Sequence, residues 1–327
     1  MRTVTININK RCPLKCKHCS LGFSESYRGD DIGLGSEALA QMIEAVDNQT
    51  YGMILLAGGE PSLSPNLIRV GIASSRKAGL LSAMVTAPIW AQTPVAADHF
   101  LSKIPGLNTL ILSYDFYHLD FLTIEHYRNA AVEAIKRGIR IVFQIAYTSE
   151  EEKEQLIDSL GGLKILANQI NPMRTVRVGN AVTANLVADE VQVMEPSDLD
   201  SINRGCVLGN SFIDENFNVH GCCWSTAAEE SPFSVAADGS PSSVGKAFKN
   251  LEARALFQGV RQNGFIDSLS EKGKQAVVDL VRGEKFSSEC DLCIRMMSKR
   301  AAHVWDECAV SMPSKPEKTV AAGNGKS

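Results

Sequence analysis

The chain opens on a short alternation of apolar and polar residues. Val4, Ile6 and Ile8 alternate with Thr5 and Asn7, the period of a half-buried strand. SEALAQMIEAVDN then spaces its apolar residues as a helix does, with Ser36 as a candidate cap. MILLAGG, LLSAMVTA, TLILSYD and IRIVFQIAY read as further strands, and a last one falls near MRTVRVG. NLIRVGIASSRKAG, VAADHFLSKI, TIEHYRNAAVEAIKRG and EEEKEQLIDSLGG read as helices between them. Serial strand–helix units imply parallel strands joined by right-handed crossovers. Six such strands make an α/β open barrel or a doubly wound sheet, and the pattern alone leaves both open.

The periodicity fades after about Ala181. The region to about Val310 reads as irregular, with a small hairpin at SFIDENFNVHGCCW. A segment so loop-rich needs a staple, and a metal cluster would serve. The end, SMPSKPEKTVAAGNGKS, has the polar, small-residue composition of a disordered tail.

Composition narrows the class. The 327 residues are 44% hydrophobic, enough for one large domain or a domain with a smaller module. A net charge of −4 gives no sign of a general nucleic-acid or membrane surface. MRTVTININK lacks the apolar core of a signal peptide, and no apolar run is long enough to span a bilayer. A cytoplasmic location is the expectation. There the nine cysteines point to metal binding or redox chemistry rather than disulfides. They fall into two groups, Cys12, Cys16 and Cys19 at the start, and Cys206, Cys222, Cys223, Cys290, Cys293 and Cys308 in the last third.

Cys12, Cys16 and Cys19 have the spacing C-x3-C-x2-C directly after the first strand. Three thiolates on a four-iron cluster leave one iron open for a ligand. A zinc site with a distant fourth ligand is the competing reading, although zinc favours paired C-x2-C spacings. Gly58-Gly59-Glu60-Pro61 follows one strand and one helix later. The triplet, its position and this GGEP resemble the radical S-adenosylmethionine (radical SAM) superfamily. The resemblance implies a partial (β/α)6 barrel over residues 1–185. It also implies a SAM-binding [4Fe-4S] cluster on Cys12, Cys16 and Cys19. His18 would lie against SAM, and Gly58, Gly59 and Glu60 would meet its amino group. Thr86, Ser113 and Asp115 end later strands; they are candidate SAM contacts or ordinary strand-end polar residues. The implied chemistry is reductive cleavage of SAM to a 5′-deoxyadenosyl radical, which removes a substrate hydrogen. An electron donor of flavodoxin or ferredoxin type would supply the electron.

Cys206, Cys222, Cys290 and Cys293 could complete a second metal site, Cys290-Asp-Leu-Cys293 being a good ligand spacing. GCVLGNSFIDENFNVHGCC and FSSECDLC resemble the Twitch module, a reduced SPASM domain holding one auxiliary [4Fe-4S] cluster, here over residues 186–310. A zinc-stapled or metal-free module is the alternative. With Cys222 as ligand, Cys223 is a free thiol beside the cluster; the opposite assignment is also open. Cys308 reads as a core cysteine.

LSYDFYH, the segment from Pro172-Met173 to Val178-Gly179, the paired cysteines and FSSECDLC resemble the radical SAM epimerases that make epipeptides. That resemblance implies removal of a Cα hydrogen from an L-residue of a ribosomally made precursor peptide. Cys223 would return a hydrogen to the opposite face. Asp214 would touch the peptide backbone, or is simply a turn residue. HGCCW departs from the subgroup, which tends to have proline before the cysteine pair. Rival chemistries use the same parts: thioether or carbon–carbon cross-linking of a peptide, or oxidation or epimerisation of an aminocyclitol or aminoglycoside. An iron–sulfur redox sensor is the non-enzymatic alternative. The chain begins at strand one, so no fused leader-binding domain is expected ahead of it.

Overall fold

The computed structural model describes residues 1–22, 34–186, 190–203, 206, 208–222 and 231–310. Among the described residues, six strands and six α-helices make up the first half, one helix between successive strands except for two between the fourth and fifth. The strands are β1 (Thr3–Asn7), β2 (Met53–Ala57), β3 (Leu81–Thr86), β4 (Thr109–Ser113), β5 (Arg140–Tyr147) and β6 (Gln169–Arg174). The helices are α1 (Ser36–Glu44), α2 (Pro65–Lys77), α3 (Pro94–Ser102), α4 (Phe116–Leu119), α5 (Ile124–Ile135) and α6 (Glu150–Ser159). Each strand from β1 to β6 pairs in parallel with the next. The fold is mixed α/β around a largely parallel sheet, as the strand–helix pattern predicts.

The second half adds α7 (Asn180–Thr183), β7 (Val191–Gln192), α8 (Pro196–Ile202), β8 (Ser211–Ile213), β9 (Val219–His220) and β10 (Ser234–Val235). Then come α9 (Val244–Glu252), α10 (Ala255–Asn263), α11 (Glu271–Val281), β11 (Lys285–Phe286), α12 (Glu289–Ser298) and α13 (Ala302–Val310). The expected hairpin is present as β8–β9, and it is not separate from the barrel strands. β8 pairs in parallel with β1, Ile6 opposite Ile213, giving the sheet order β10-β9-β8-β1-β2-β3-β4-β5-β6. β1 is therefore an interior strand. Thr3 and Asn7 are buried along with Val4 and Ile6, so the half-buried reading of β1 is corrected. A parallel strand flanked on both edges and covered on both faces loses its polar side.

Three other expectations change. The cap of α1 is Gly35, with Ser36 already helical. The last strand of the series lies at Gln169–Arg174, upstream of the expected position. Most of its residues are exposed and it carries Pro172, as an edge strand can. Finally, the region after residue 181 is largely helical, and its buried residues belong to the same core cluster as those of the strands before it. In α9 the buried residues Val244, Ala247, Phe248 and Leu251 recur at helical spacing. Trp305 meets Phe233 edge-on at 5.2 Å and Phe265 at 4.8 Å. Tyr51 joins the two halves, its hydroxyl 2.7 Å from Ser211 Oγ and 3.0 Å from Glu252 Oε1. The expected tail at 311–327 lies outside the described residues, within which no helix is long and apolar enough to cross a membrane.

Candidate functional site

The loop after β1 carries the first three cysteines and lies across the end of β2. The Ile8 amide donates to Ala57 O, the Gly59 amide to Asn9 O at 2.9 Å and the Glu60 amide to Arg11 O at 2.6 Å. This contact explains both glycines. A Cβ on Gly58, which sits at φ +144°, would lie 2.4 Å from Asn9 O; one on Gly59 would lie 2.3 Å from Arg11 O. The closely approaching backbone is thus the protein's own cysteine loop. On the loop's other side, the Asn180 amide donates to Cys19 O at 2.9 Å and its Nδ2 to Cys16 O at 3.2 Å. Gly179, at φ +57°, packs so tightly that a Cβ would sit 2.5 Å from both Cys19 O and Ser20 O.

The loop forms one wall of a cleft at the C-terminal ends of the strands. Cys12, Cys16, Cys19, His18, Gly58, Gly59, Ser113 and Asp115 all line it. Glu60 and Thr86 stand behind it. The buried Glu60 carboxylate accepts from the Ser62 amide at 2.9 Å, Thr86 Oγ1 at 2.6 Å and the Ala87 amide at 2.9 Å. Burial lifts its pKa above the ordinary value, against those three donors. Its carboxylate therefore ties β2 to β3, and the backbone of Gly58 and Gly59 is what faces the cleft.

Asp115 organises the opposite wall. Its Oδ1 accepts the His118 amide at 2.9 Å, capping α4, and its Oδ2 lies 2.8 Å from His118 Nδ1 and 3.5 Å from His18 Nε2. Burial would raise the Asp115 pKa, but the two imidazoles outweigh it and hold it low. Burial would lower the His118 pKa, yet Asp115 drives it well above the usual histidine range. His18 lacks so close a partner and is pulled down to about 4 by burial. Its ring stacks on Tyr117 at 4.8 Å between centroids. The sequence names Tyr117 and His118 only as parts of a motif; here both belong to the cleft region, which their spacing from Asp115 along a helical turn could have revealed. Arg174 and Gln144 also line the cleft. Arg174 gives no signal in the sequence, because it ends an exposed strand without an apolar run; its guanidinium pairs with Glu150 at 2.8 Å.

The second group converges equally well. Cys206, Cys222, Cys290 and Cys293 line one small cavity with Leu208, Phe233, Phe265, Ile294 and Met297. Cys290 and Cys293 share a face of α12 through their i, i+3 spacing. Burial pushes Cys206 up to about 12, and Cys290 and Cys293 well above their usual value. Glu289 borders the cavity, its Oε1 accepting from the Phe265 amide at 2.6 Å and the Ile266 amide at 3.1 Å. Four sulfurs on an apolar wall suit a metal centre that takes thiolates, and three on the first loop suit a cluster with one open iron. Cys222 faces this cavity; Cys223 lies outside the described residues. Cys308 is buried in the helical core and lines neither site.

Asp214 sits at the β8–β9 turn. Its Oδ1 accepts the Asn216 and Asn218 amides at 2.9 Å, and its Oδ2 accepts Asn218 Nδ2 at 2.9 Å and lies 3.1 Å from His220 Nε2. Burial would raise its pKa, but His220 and Asn218 hold it below the ordinary carboxylate range. A depressed carboxylate contributes stability above its unfolded pKa and loses it only as pH falls through the folded one. Asp214→Ala should therefore cost about 2 kcal/mol. The difference in Tm from wild type should stay constant from pH 8 to pH 5. A difference that shrinks within that window would show the side chain is not held as described. Lys10 pairs with the neighbouring Glu215, tying this turn to the cysteine loop.

No family model matches the chain. It is 23% identical over 299 residues to YydG of Bacillus subtilis (strain 168), to which a role in peptide biosynthesis is ascribed; the match covers 89% of this chain and 91% of that one. Among solved structures, Streptococcus suis SuiB bound to its precursor peptide SuiA superimposes with a TM-score of 0.53 at 14% identity, over 79% of this chain and 66% of that one. SuiB bound to S-adenosylmethionine gives 0.52 at 13%, over 72% and 62%. The chain thus spans a little under two thirds of SuiB. The structure of anSMEcpe with bound AdoMet gives 0.52 at 13%, over 94% of this chain and 96% of that one. The chain has the fold of these proteins.

Proposed function

We propose that this protein is a radical SAM enzyme that inverts the Cα of residues in a ribosomally made precursor peptide. The carrying observation is the cysteine loop itself, laid across Gly58 and Gly59 so that three thiols face the cleft at the strand ends. The sequence likeness to YydG and the shared fold with peptide-bound SuiB support a peptide as substrate.

In this reading Cys12, Cys16 and Cys19 would hold the [4Fe-4S] cluster, and the backbone of Gly58 and Gly59 would shape the seat for SAM. When bound, cluster and SAM together supply a carbon radical able to take an unactivated hydrogen. His18, Ser113 and Asp115 line that seat, and His18 presents a ring held against Tyr117. Cys206, Cys222, Cys290 and Cys293 would hold an auxiliary cluster, and Cys223, next to Cys222 in sequence, would be left as a free thiol. Cys223 gives its S–H hydrogen to the opposite face of the peptide radical. One electron from an external donor of flavodoxin or ferredoxin type and one proton would then restore the thiol. An enclosed cytoplasmic setting would keep both sets of thiols reduced.

The test is anaerobic turnover in D2O with short peptides encoded beside the gene, read by mass spectrometry. One deuterium gained at Cα, and no gain with Cys223→Ala, supports epimerisation by a thiol donor. Loss of hydrogens without deuterium gain would point instead to cross-linking or oxidation.

A further inference from the structure

One face of the sheet carries a polar row. Register sets Ser113 on β4, Gln144 on β5 and Asn171 on β6 side by side, so their side chains share that face. Ser113 and Gln144 line the cleft, and Asn171 stands exposed on the edge strand. The Gln144 carboxamide has no hydrogen-bond partner among the described residues. Thr175, just past β6, also lines the cleft, and its Oγ1 is buried without a partner. A buried hydroxyl left unpaired is destabilising until a ligand pairs with it. Arg174 is already paired with Glu150, so this wall offers hydrogen bonds rather than a cation.

Such a wall fits the backbone of an extended peptide. In an extended chain the N–H and C=O of one residue point the same way. A carboxamide presents an acceptor and a donor to match. Ala146 and Met173 are partners two residues further along the same face, and both line the cleft. They give the peptide's side chains an apolar seat next to its backbone. The row also has a direction. Ser113 belongs to the proposed SAM seat, and Asn171 lies at the free edge of the sheet. A chain entering over that edge meets Asn171, then Gln144, then the seat.

We propose that Gln144 and Thr175, with Asn171 at the entrance, form a wall that binds the main chain of the peptide substrate. The inference rests on reading the substrate as a peptide and deepens it. Residues flanking the inverted one are held by their backbone, whatever their side chains.

The experiment measures binding to anaerobically reconstituted full-length protein with SAM present. The probe is a fluorescent copy of a peptide, encoded beside the gene, that the wild-type protein modifies. Gln144→Met keeps the length of the side chain and removes the pairing. It should weaken peptide binding about tenfold, and Thr175→Val should do the same. Asn171→Leu, on an exposed edge where folding is not at stake, should weaken it about threefold. Affinity for SAM alone should change by less than about twofold in Gln144→Met. Single N-methylation of the probe removes one peptide N–H at a time. At the position that Gln144 holds, the methyl's penalty should not add to that of Gln144→Met. Wild-type peptide affinity in both Gln144→Met and Asn171→Leu, or penalties that add at every methylated position, would overturn the proposal. An equal loss of SAM affinity would also overturn it, placing Gln144 in the SAM seat instead. Wild-type protein that modifies none of the peptides would overturn the peptide reading itself, and is told apart by needing no variant.

Discussion

Gly179→Ala is expected to empty the first cysteine site while leaving the fold standing. The residue sits at φ +57° and ψ −133°, a conformation that costs a side-chain-bearing residue about 1–3 kcal/mol. The added methyl would also lie 2.5 Å from two carbonyl oxygens, Cys19 O and Ser20 O, both part of the backbone and unable to swing aside. Relief requires the cysteine loop to move, and movement breaks the bonds from Asn180 to Cys19 O and Cys16 O. Each is worth about 1 kcal/mol, and together they hold the spacing of two ligands. If both sites hold four-iron clusters as proposed, iron per chain should fall from about eight to about four. SAM cleavage should fall by more than about a hundredfold, since misplaced ligands cost such factors. Gly138→Ala is the control: its φ is +71°, but no atom lies within 4 Å of the added carbon. It should cost about 1 kcal/mol of stability and no iron. Full iron loading in Gly179→Ala would show that the loop after β6 does not brace the cysteines.

The double variant Cys290→Ala, Cys293→Ala should lose the complementary half of the iron. These residues place two of four sulfurs on one helix, and the other two, Cys206 and Cys222, come from separate stretches of chain. A metal that bridges them contributes to folding directly. Its loss should lower Tm by on the order of 10 °C, the size expected when several kcal/mol of metal-linked stability disappear. Cleavage of SAM without peptide should persist, because the first loop is untouched. Iron content unchanged from wild type would exclude the second site as a cluster, and zinc in stoichiometric amount would make it a zinc staple.

The strands were legible where neighbouring residues decide the outcome. β2, β3, β4 and β5 fall within the predicted segments because continuous apolar runs bounded by turns suit buried parallel strands. β6 was misplaced because it is an exposed edge carrying Pro172 and gives no apolar run. The helical second half is legible at Val244, Ala247, Phe248 and Leu251, whose spacing is that of a helix with one buried face. Local pattern could not show that β8 joins β1, because pairing partners distant in sequence leave no periodic trace. The same holds at the site. Cys12, Cys16, Cys19, Gly58 and Gly59 were found by spacing, whereas the inward turn of Glu60 depends on Thr86 and Ala87, which only the folded sheet brings beside it.

The β1–β8 seam bears on how the molecule can move. The two cysteine groups are far apart in the chain, yet β1, which leads to the first, lies one strand from the hairpin that leads to Cys222. Three registered pairs, Val4 with Ser211, Thr5 with Phe212 and Ile6 with Ile213, make that sheet a ruler between the two sulfur-lined cavities. Neighbouring strands keep a spacing of about 4.8 Å. Backbone pairing of this kind fixes how far apart the two cavities lie.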